Sequence, residues 1–153
     1  MSVATRALRP AAPLDAGAAG AILHGFAHAT PWMPCLMSGA EAVAHCGRMI
    51  ERGWVTVAEE GGAVQGFLAR EGQFIHALYV AKGATGRGVG RALLDRAKAE
   101  RPALSLRTFA ANGAALRFYR RAGFRRVAAG DGRDNDEGLP DLRLDWRREE
   151  GAR

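Results

Sequence analysis

The sequence predicts an α/β (α+β) domain with a mixed, mostly antiparallel sheet, and three observations lead there. The central stretch "WVTVAEEGGAVQGFLAREGQFIHALYV", Trp54–Val80, reads as three consecutive strands joined by tight turns. Apolar residues recur at helical spacing on both sides of it. Soon after the third strand, "ATGRGVGRALLDRAKAE" puts three glycines in five positions directly before a helix pattern. Glycine inside a helix costs about 0.5–1 kcal/mol relative to alanine, so something must come close to that backbone.

The elements follow in order. "VATRALRP", Val3–Pro10, reads as a short strand stopped by proline. Leu14–Ala29 has helical apolar spacing, with Asp15 as its expected N-cap. "TPWMPCLMSG" is a loop with two prolines and Trp32 at its surface. Ser38 and Glu41 fit a capping box, which predicts a second helix to about Arg52. The central strands are Trp54–Glu59, Val64–Arg70 and Phe74–Val80, with "EGG" and "REGQ" as turns. After the glycine loop come a helix from about Gly88 to Arg101, the strand "ALSLRTFA" and a helix opened by Asn112. The strands "FRRVAAG" and "LPDLRLDW" close the domain, giving about seven strands and four helices. Residues 1–147 read as one domain and 148–153 as a frayed tail.

Composition narrows the class. The 153 residues suit one core, and 25% charged with 48% hydrophobic residues is the balance of a soluble globular chain. The net charge of +6 favours phosphate-bearing ligands. It is spread over scattered arginine pairs such as Arg120–Arg121 and Arg125–Arg126, with no aromatic-interleaved stripe, so nucleic acid is not an expected partner. Cys35 and Cys46 make no disulfide framework, and no Cys/His spacing suggests a metal. "MSVATRALRP" lacks the apolar core of a signal peptide, and no apolar run reaches membrane length. A reduced, cytoplasmic protein is expected, without a membrane partner and with room for a homodimer.

A helix N-terminus offers unpaired N–H groups and partial positive charge. A glycine lead-in lets a phosphate reach them, and Arg87 and Arg91 flank the approach. A Walker loop needs Lys-Ser/Thr after its last glycine, where "GVGRA" has none. The third glycine of a dinucleotide fingerprint would fall on Arg91, and this loop follows a meander rather than opening a first βαβ unit.

"LYVAKGATGRGVGRALL" does, however, resemble the acetyl-CoA loop of the GNAT N-acetyltransferase superfamily, Gln/Arg-x-x-Gly-x-Gly/Ala after a strand ending in Val. Gly88 and Gly90 take the motif glycines; Thr85 stands where Gln or Arg is usual, and Ala81 and Lys82 replace the usual proline. "NGAALRFYRRAGF" is similar to the superfamily's Asn-x-x-Ala-x-x-Phe-Tyr-x-x-x-Gly-Phe, with every named position filled. "GDGRDNDEGLPDLRLDW" resembles the last hairpin of a bacterial subgroup with an acidic, Asn-rich turn.

The resemblance implies a sheet splayed between the strands ending at Val80 and Phe109, and acetyl-CoA as cosubstrate without a metal. It implies contacts to acetyl-CoA from Tyr79 and Val80, from Thr85, Gly86, Arg87, Gly88, Val89, Gly90 and Arg91, and from Asn112, Ala115 and Phe118. The acceptor would be a primary amine of a small molecule or peptide. Trp32 and Met33, with Met37, are expected to line its side, and Asp134, Asp136 and Glu137 to attract its charge.

Acyl transfer sets the remaining needs. An alkylamine with a pKa near ~10.4 is mostly protonated at pH 7, so the site needs a base. His76 on the third central strand is the candidate, ahead of His24, His28, Glu59 and Glu60. The resemblance implies the Val80 N–H as donor to the carbonyl oxygen, and Tyr119 suits the protonation of the leaving thiolate. Two other readings fit the same residues: an acyl-CoA-responsive module without turnover, and transfer to a tRNA-linked or protein amine.

Overall fold

The structure, a computed structural model, describes residues 6–149. Seven strands and four α-helices occur among the described residues. They are β1 (Arg6–Pro10), α1 (Ala16–Ala29), α2 (Gly39–Glu51), β2 (Val55–Glu60), β3 (Ala63–Glu71), β4 (Phe74–Val80), α3 (Val89–Glu100), β5 (Ala103–Phe109), α4 (Gly113–Arg121), β6 (Arg125–Gly130) and β7 (Asp141–Arg147). The expected β4 is reproduced to the residue, and the other elements shift by one to a few residues at their ends. The start of the expected first strand and the end of the expected tail, residues 3–5 and 150–153, lie outside the described residues.

All strands join one sheet in the order β1-β2-β3-β4-β5-β7-β6. Every neighbouring pair is antiparallel except β4 and β5. That parallel pair is short: Phe74 faces Ser105 and Ile75 faces Leu106, and beyond them the strands part. The expected splay is therefore present, between the C-terminal halves of β4 and β5.

Apolar burial fixes the layers. On one face, Val89, Leu93 and Leu94 of α3 and Tyr119 of α4 pack on Leu104 and Leu106 of β5 and Leu144 of β7. On the other, Ala19 of α1 and Cys46, Met49 and Ile50 of α2 cover Val57 and Phe67. Gly66 sets how closely α3 can dock, because a Cβ there would lie 2.9 Å from both the Tyr79 carbonyl oxygen and Val89 Cγ1. Any side chain at this position would push the helix away from the strands that carry the site. No helix among the described residues is long and apolar enough to cross a membrane.

The N-terminus of α1 departs from expectation. Asp15 ends a 3-10 turn, Pro13–Asp15, in helical backbone conformation and makes no side-chain cap bond to α1. Its carboxylate instead accepts from Arg9 Nη1 and Nη2 at 2.8 and 3.1 Å and from the Ala12 N–H at 2.6 Å. A two-pronged guanidinium bond outcompetes a single cap bond here. Arg9 and the Ala12 N–H hold the Asp15 carboxyl below the usual carboxylate range. A depressed folded pKa contributes stability that is present above the unfolded value, near ~3.9, and is lost as pH falls through the native value. Asp15→Asn should therefore lower stability at pH 7 by about 1–3 kcal/mol. Urea denaturation should show that difference narrowing below about pH 4; a pH-independent difference would assign the effect to packing.

Candidate active site

The glycine loop has the backbone geometry of an anion cradle. Gly86 and Gly88 have φ of +77° and +80°, the left-handed region that glycine alone enters without strain. Gly88 is the N-cap residue of α3, with no side chain to occupy the first N–H groups of the helix. A Cβ at Gly90 would sit 3.4 Å from Val80 Cγ2 and 3.5 Å from the Phe118 ring, so the strand end and α4 also close on this turn. Arg6 braces the loop from β1, donating to the carbonyls of Arg87 at 2.7 Å and Gly88 at 3.4 Å. Glu60 bridges the Arg6 and Arg87 side chains at 3.4 and 2.6 Å. These bonds consume carbonyls and leave the N–H groups for a ligand.

Charge around the cradle differs from the simplest expectation. Arg87 is paired with Glu60, and Arg91 with Asp95 at 3.0 Å one turn along α3, so both side chains would have to release a carboxylate to join a phosphate. Thr85 bonds back to the Lys82 carbonyl at 3.1 Å. The Val89 side chain is buried in the core, which leaves only its backbone facing the loop. Asn112 caps α4 by accepting from the Ala115 N–H at 3.1 Å.

From the loop an apolar groove of about 370 Å³ runs along the strand end. Ala21, Gly25 and Ala29 of α1 form one wall, Val80, Ala81 and Thr85 the other, and Phe26 lies at its side. Small residues one helical turn apart keep the groove open. The Ala81 N–H bonds to the Gln65 carbonyl on β3 at 2.7 Å. Backbone N–H groups alternate along a strand, so the Val80 N–H points the other way, into the gap beside β5.

Tyr119 packs from α4 into the core cluster that holds Leu104 and Leu106 of β5. It is 7% exposed and lies edge-on to Phe118 and Phe124, with ring centroids 5.1 and 5.3 Å away. Burial, with a smaller contribution from Tyr79, pushes its phenol far above the usual value.

Behind the gap, between α1, α2 and β4, is a cavity of about 180 Å³. His76, Met33, Met37 and Glu137 all line it, as does His24, whose ring stacks on His28 at 5.9 Å. His76 reaches this side through a β-bulge. Ala77 pairs with Ala69 and Ile75 with Arg70, so His76 is the extra residue and its ring joins that of Tyr79 rather than alternating away. Its Nε2 lies 2.9 Å from Glu71 Oε1, and the ring stacks on Trp54 at 4.9 Å.

Trp32 meets Phe26 and Phe109 edge-on at 6.5 and 5.8 Å, tying the α1–α2 loop to β5 across the gap. The acidic turn divides. Glu137 enters the cavity; Asp134 lines a separate cleft of about 240 Å³ at the mouth of the β6–β7 hairpin; Asp136 is exposed on the turn. Glu59 is bonded to Arg9 at 2.9 Å and Glu60 to Arg6 and Arg87, so neither lines the cavity behind the gap.

The Tyr79 side chain lines the cavity behind the gap. It packs 5.2 Å from Phe26, and burial, then Glu137 and Cys46, push its hydroxyl up to about 12. Sequence reasoning also passed over His45, half-buried in the same cavity. The available signal was its place on α2, three residues from Ala42 and four from Met49, beside the apolar stripe.

Residues 51–126 match the acetyltransferase (GNAT) domain family. The chain belongs to the GNAT superfamily of N-acetyltransferases. Those residues include the glycine loop, the β4–β5 gap and α4 with Tyr119. Among curated GNAT relatives, the peptidyl-lysine N-acetyltransferase YiaC of Escherichia coli is 34% identical over 103 residues, 66% of this chain and 66% of its own length. The peptidyl-lysine N-acetyltransferase YjaB of the same organism is 33% identical over 91 residues, 60% of this chain and 61% of its own length. The solution structure of apo YjaB superposes with a TM-score of 0.72 at 24% identity, covering 95% of this chain and 99% of that one. The yncA structure from Salmonella typhimurium, solved with its cofactor acetyl-CoA, gives 0.72 at 22% identity, over 97% and 96%. The GNAT fold is thus shared over nearly the whole chain.

Proposed function

We propose that this protein transfers the acetyl group of acetyl-CoA to the ε-amino group of a lysine in a peptide or protein, by direct transfer in a ternary complex. The observation that carries the reading is the parting of β4 and β5. Residues of α3 and Tyr119 of α4 pack on one face of the sheet at this parting, and an amine-sized cavity lies on the other face. Two relatives named as peptidyl-lysine N-acetyltransferases favour lysine over other amines.

The residues fit acetyl-CoA. N–H groups from Gly86 to Arg91 hold the pyrophosphate, and Arg87 and Arg91 join at the rim on releasing Glu60 and Asp95. The groove between Ala21, Gly25 and Ala29 and Val80–Ala81 takes the pantetheine arm, with Asn112, Ala115 and Phe118 on the α4 side. The thioester supplies the activated acetyl group. The Val80 N–H donates to the carbonyl oxygen as negative charge develops there. The amine attacks the carbonyl carbon, the C–N bond forms, the C–S bond breaks, and Tyr119 donates its proton to the departing sulfur. The amine must lose a proton to attack, and the imidazoles of the cavity, His76 among them, supply the base.

A lysine side chain suits the acceptor cavity. Met33, Met37 and Trp32 offer an apolar passage for its four methylenes, and Glu137 with Tyr79 a polar end for its head. Asp134 and Asp136 add negative potential at the approach. Incubation with acetyl-CoA and a lysine-peptide library, followed by mass spectrometry, should show a mass gain of one acetyl group on lysine side chains. Exclusive acetylation of N-terminal or small-molecule amines would overturn the lysine assignment. Tight acetyl-CoA binding with no transfer to any amine would instead favour a binding module.

A further inference from the structure

The scheme above gives the base to no single imidazole of the cavity, and His45 lines it beside His76, Tyr79 and Glu137. The two imidazoles are unlike. His76 has Nε2 committed to the Glu71 carboxylate and its ring held between Trp54, stacked at 4.9 Å, and Phe74, edge-on at 4.9 Å. His45 is half-buried on α2, and its ring makes no hydrogen bond to another described residue. An imidazole with no protein partner, facing a cavity, has its nitrogens free for whatever enters.

We propose that His45 takes the proton that the acceptor nitrogen must lose, an inference that rests on the lysine acetyltransferase reading above. The surroundings suit a neutral base. Burial, the Arg48 charge one turn along α2 and His76 on β4 all oppose a second proton, holding His45 below the ordinary imidazole value. His24 from α1 and Tyr79 from β4 add no negative charge at neutral pH. Glu137 from the β6–β7 turn is the carboxylate that lines the same cavity, and Glu71 bears on it only through His76.

The proton count closes. The ammonium nitrogen sheds two protons in becoming an amide, and the thiolate sulfur takes up one through Tyr119. The other leaves through His45 to solvent. Desolvation in the cavity lowers the ammonium's own pKa and works against the pull of the Glu137 carboxylate, which favours the transfer. The nitrogen, moreover, becomes more acidic as its lone pair is drawn into the C–N bond.

His45→Gln keeps a polar side chain of similar reach and removes the basic nitrogen. With a lysine peptide and saturating acetyl-CoA, kcat/KM should fall about 10²-fold at pH 7. The loss should shrink as pH approaches ~10.4, where the peptide lysine arrives neutral without help. His76→Gln should cost less and show no such recovery. In the unmutated protein, the acid limb of kcat/KM should coincide with the His45 titration followed by NMR of 13C-labelled imidazole, below ~6.5. A loss equal at every pH, a wild-type profile, an acid limb that does not track His45, or recovery at high pH only in His76→Gln would each overturn the assignment. The lysine reading fails separately: wild-type enzyme that binds acetyl-CoA but acetylates no lysine peptide overturns that reading and this inference together.

Discussion

Tyr119→Phe should lower kcat about 10²–10⁴-fold, the range expected when a general acid is lost. Acetyl-CoA affinity and thermal stability should change little, because the substitution keeps the ring that packs against Phe118 and Phe124. For free groups, a phenol near ~10 and a thiol near ~8.5 differ by about 1.5 units, or roughly 2 kcal/mol against full proton transfer. Burial raises the Tyr119 phenol further, which alone would weaken it as an acid. In the proposed complex the departing thiolate would share that desolvated environment, and its proton affinity would rise for the same reason. Under the proposed mechanism the hydroxyl would therefore act as a hydrogen-bond donor that yields its proton only as sulfur becomes anionic. It should also stay protonated across the working range, so an alkaline limb below about pH 10 would report another group. Release of CoA thiol under saturating acceptor gives the measurement. Undiminished turnover in the Phe variant would make Tyr119 a packing residue and leave sulfur to be protonated by water.

Much of this arrangement was legible because its signals are local. A left-handed turn before α3 needs glycine, Asn112 needs to cap α4, and the turns of the meander need "EGG" and "REGQ"; each leaves a mark within a few residues. The capping box of Ser38 and Glu41 formed as written, at 2.9 and 3.1 Å. What was not legible depends on distant partners. Asp15 looks like a cap in sequence, and only the position of Arg9 across the turn draws it away. Glu60 looks like a strand-end carboxylate until Arg6 and Arg87 arrive from 54 and 27 residues away. The bulge at His76 is set by register against β3, which strand alternation does not reveal. The division of the acidic turn, with Glu137 inward and Asp134 toward another cleft, follows from how the β6–β7 hairpin folds back, not from its composition.

Gly88→Val should raise the dissociation constant for acetyl-CoA by roughly 100-fold or more. The structure locates the cause in the backbone rather than in crowding within the fold. A Cβ at Gly88 would meet only Arg6 Nη1, at 3.7 Å, an ordinary contact. The φ of +80° is the obstacle, since L residues pay about 1–2 kcal/mol there and β-branched ones are the least tolerant. The loop should relieve that strain by turning, which carries the first N–H groups of α3 away from a bound pyrophosphate. Losing hydrogen bonds to a charged group, each worth about 1.5–3 kcal/mol, readily accounts for two orders of magnitude in affinity. The strain should lower Tm by only a few degrees, since ~1 kcal/mol moves a domain of this size by about 2–4 °C. Gly83→Ala gives the control in the same segment, because Gly83 is not left-handed and a Cβ there meets nothing within 4 Å; its affinity should be unchanged. Calorimetry of both variants at two salt concentrations completes the test, since phosphate pairing predicts that wild-type binding weakens as salt rises. Unchanged affinity in Gly88→Val would place the pyrophosphate elsewhere and leave the glycine loop as a structural turn.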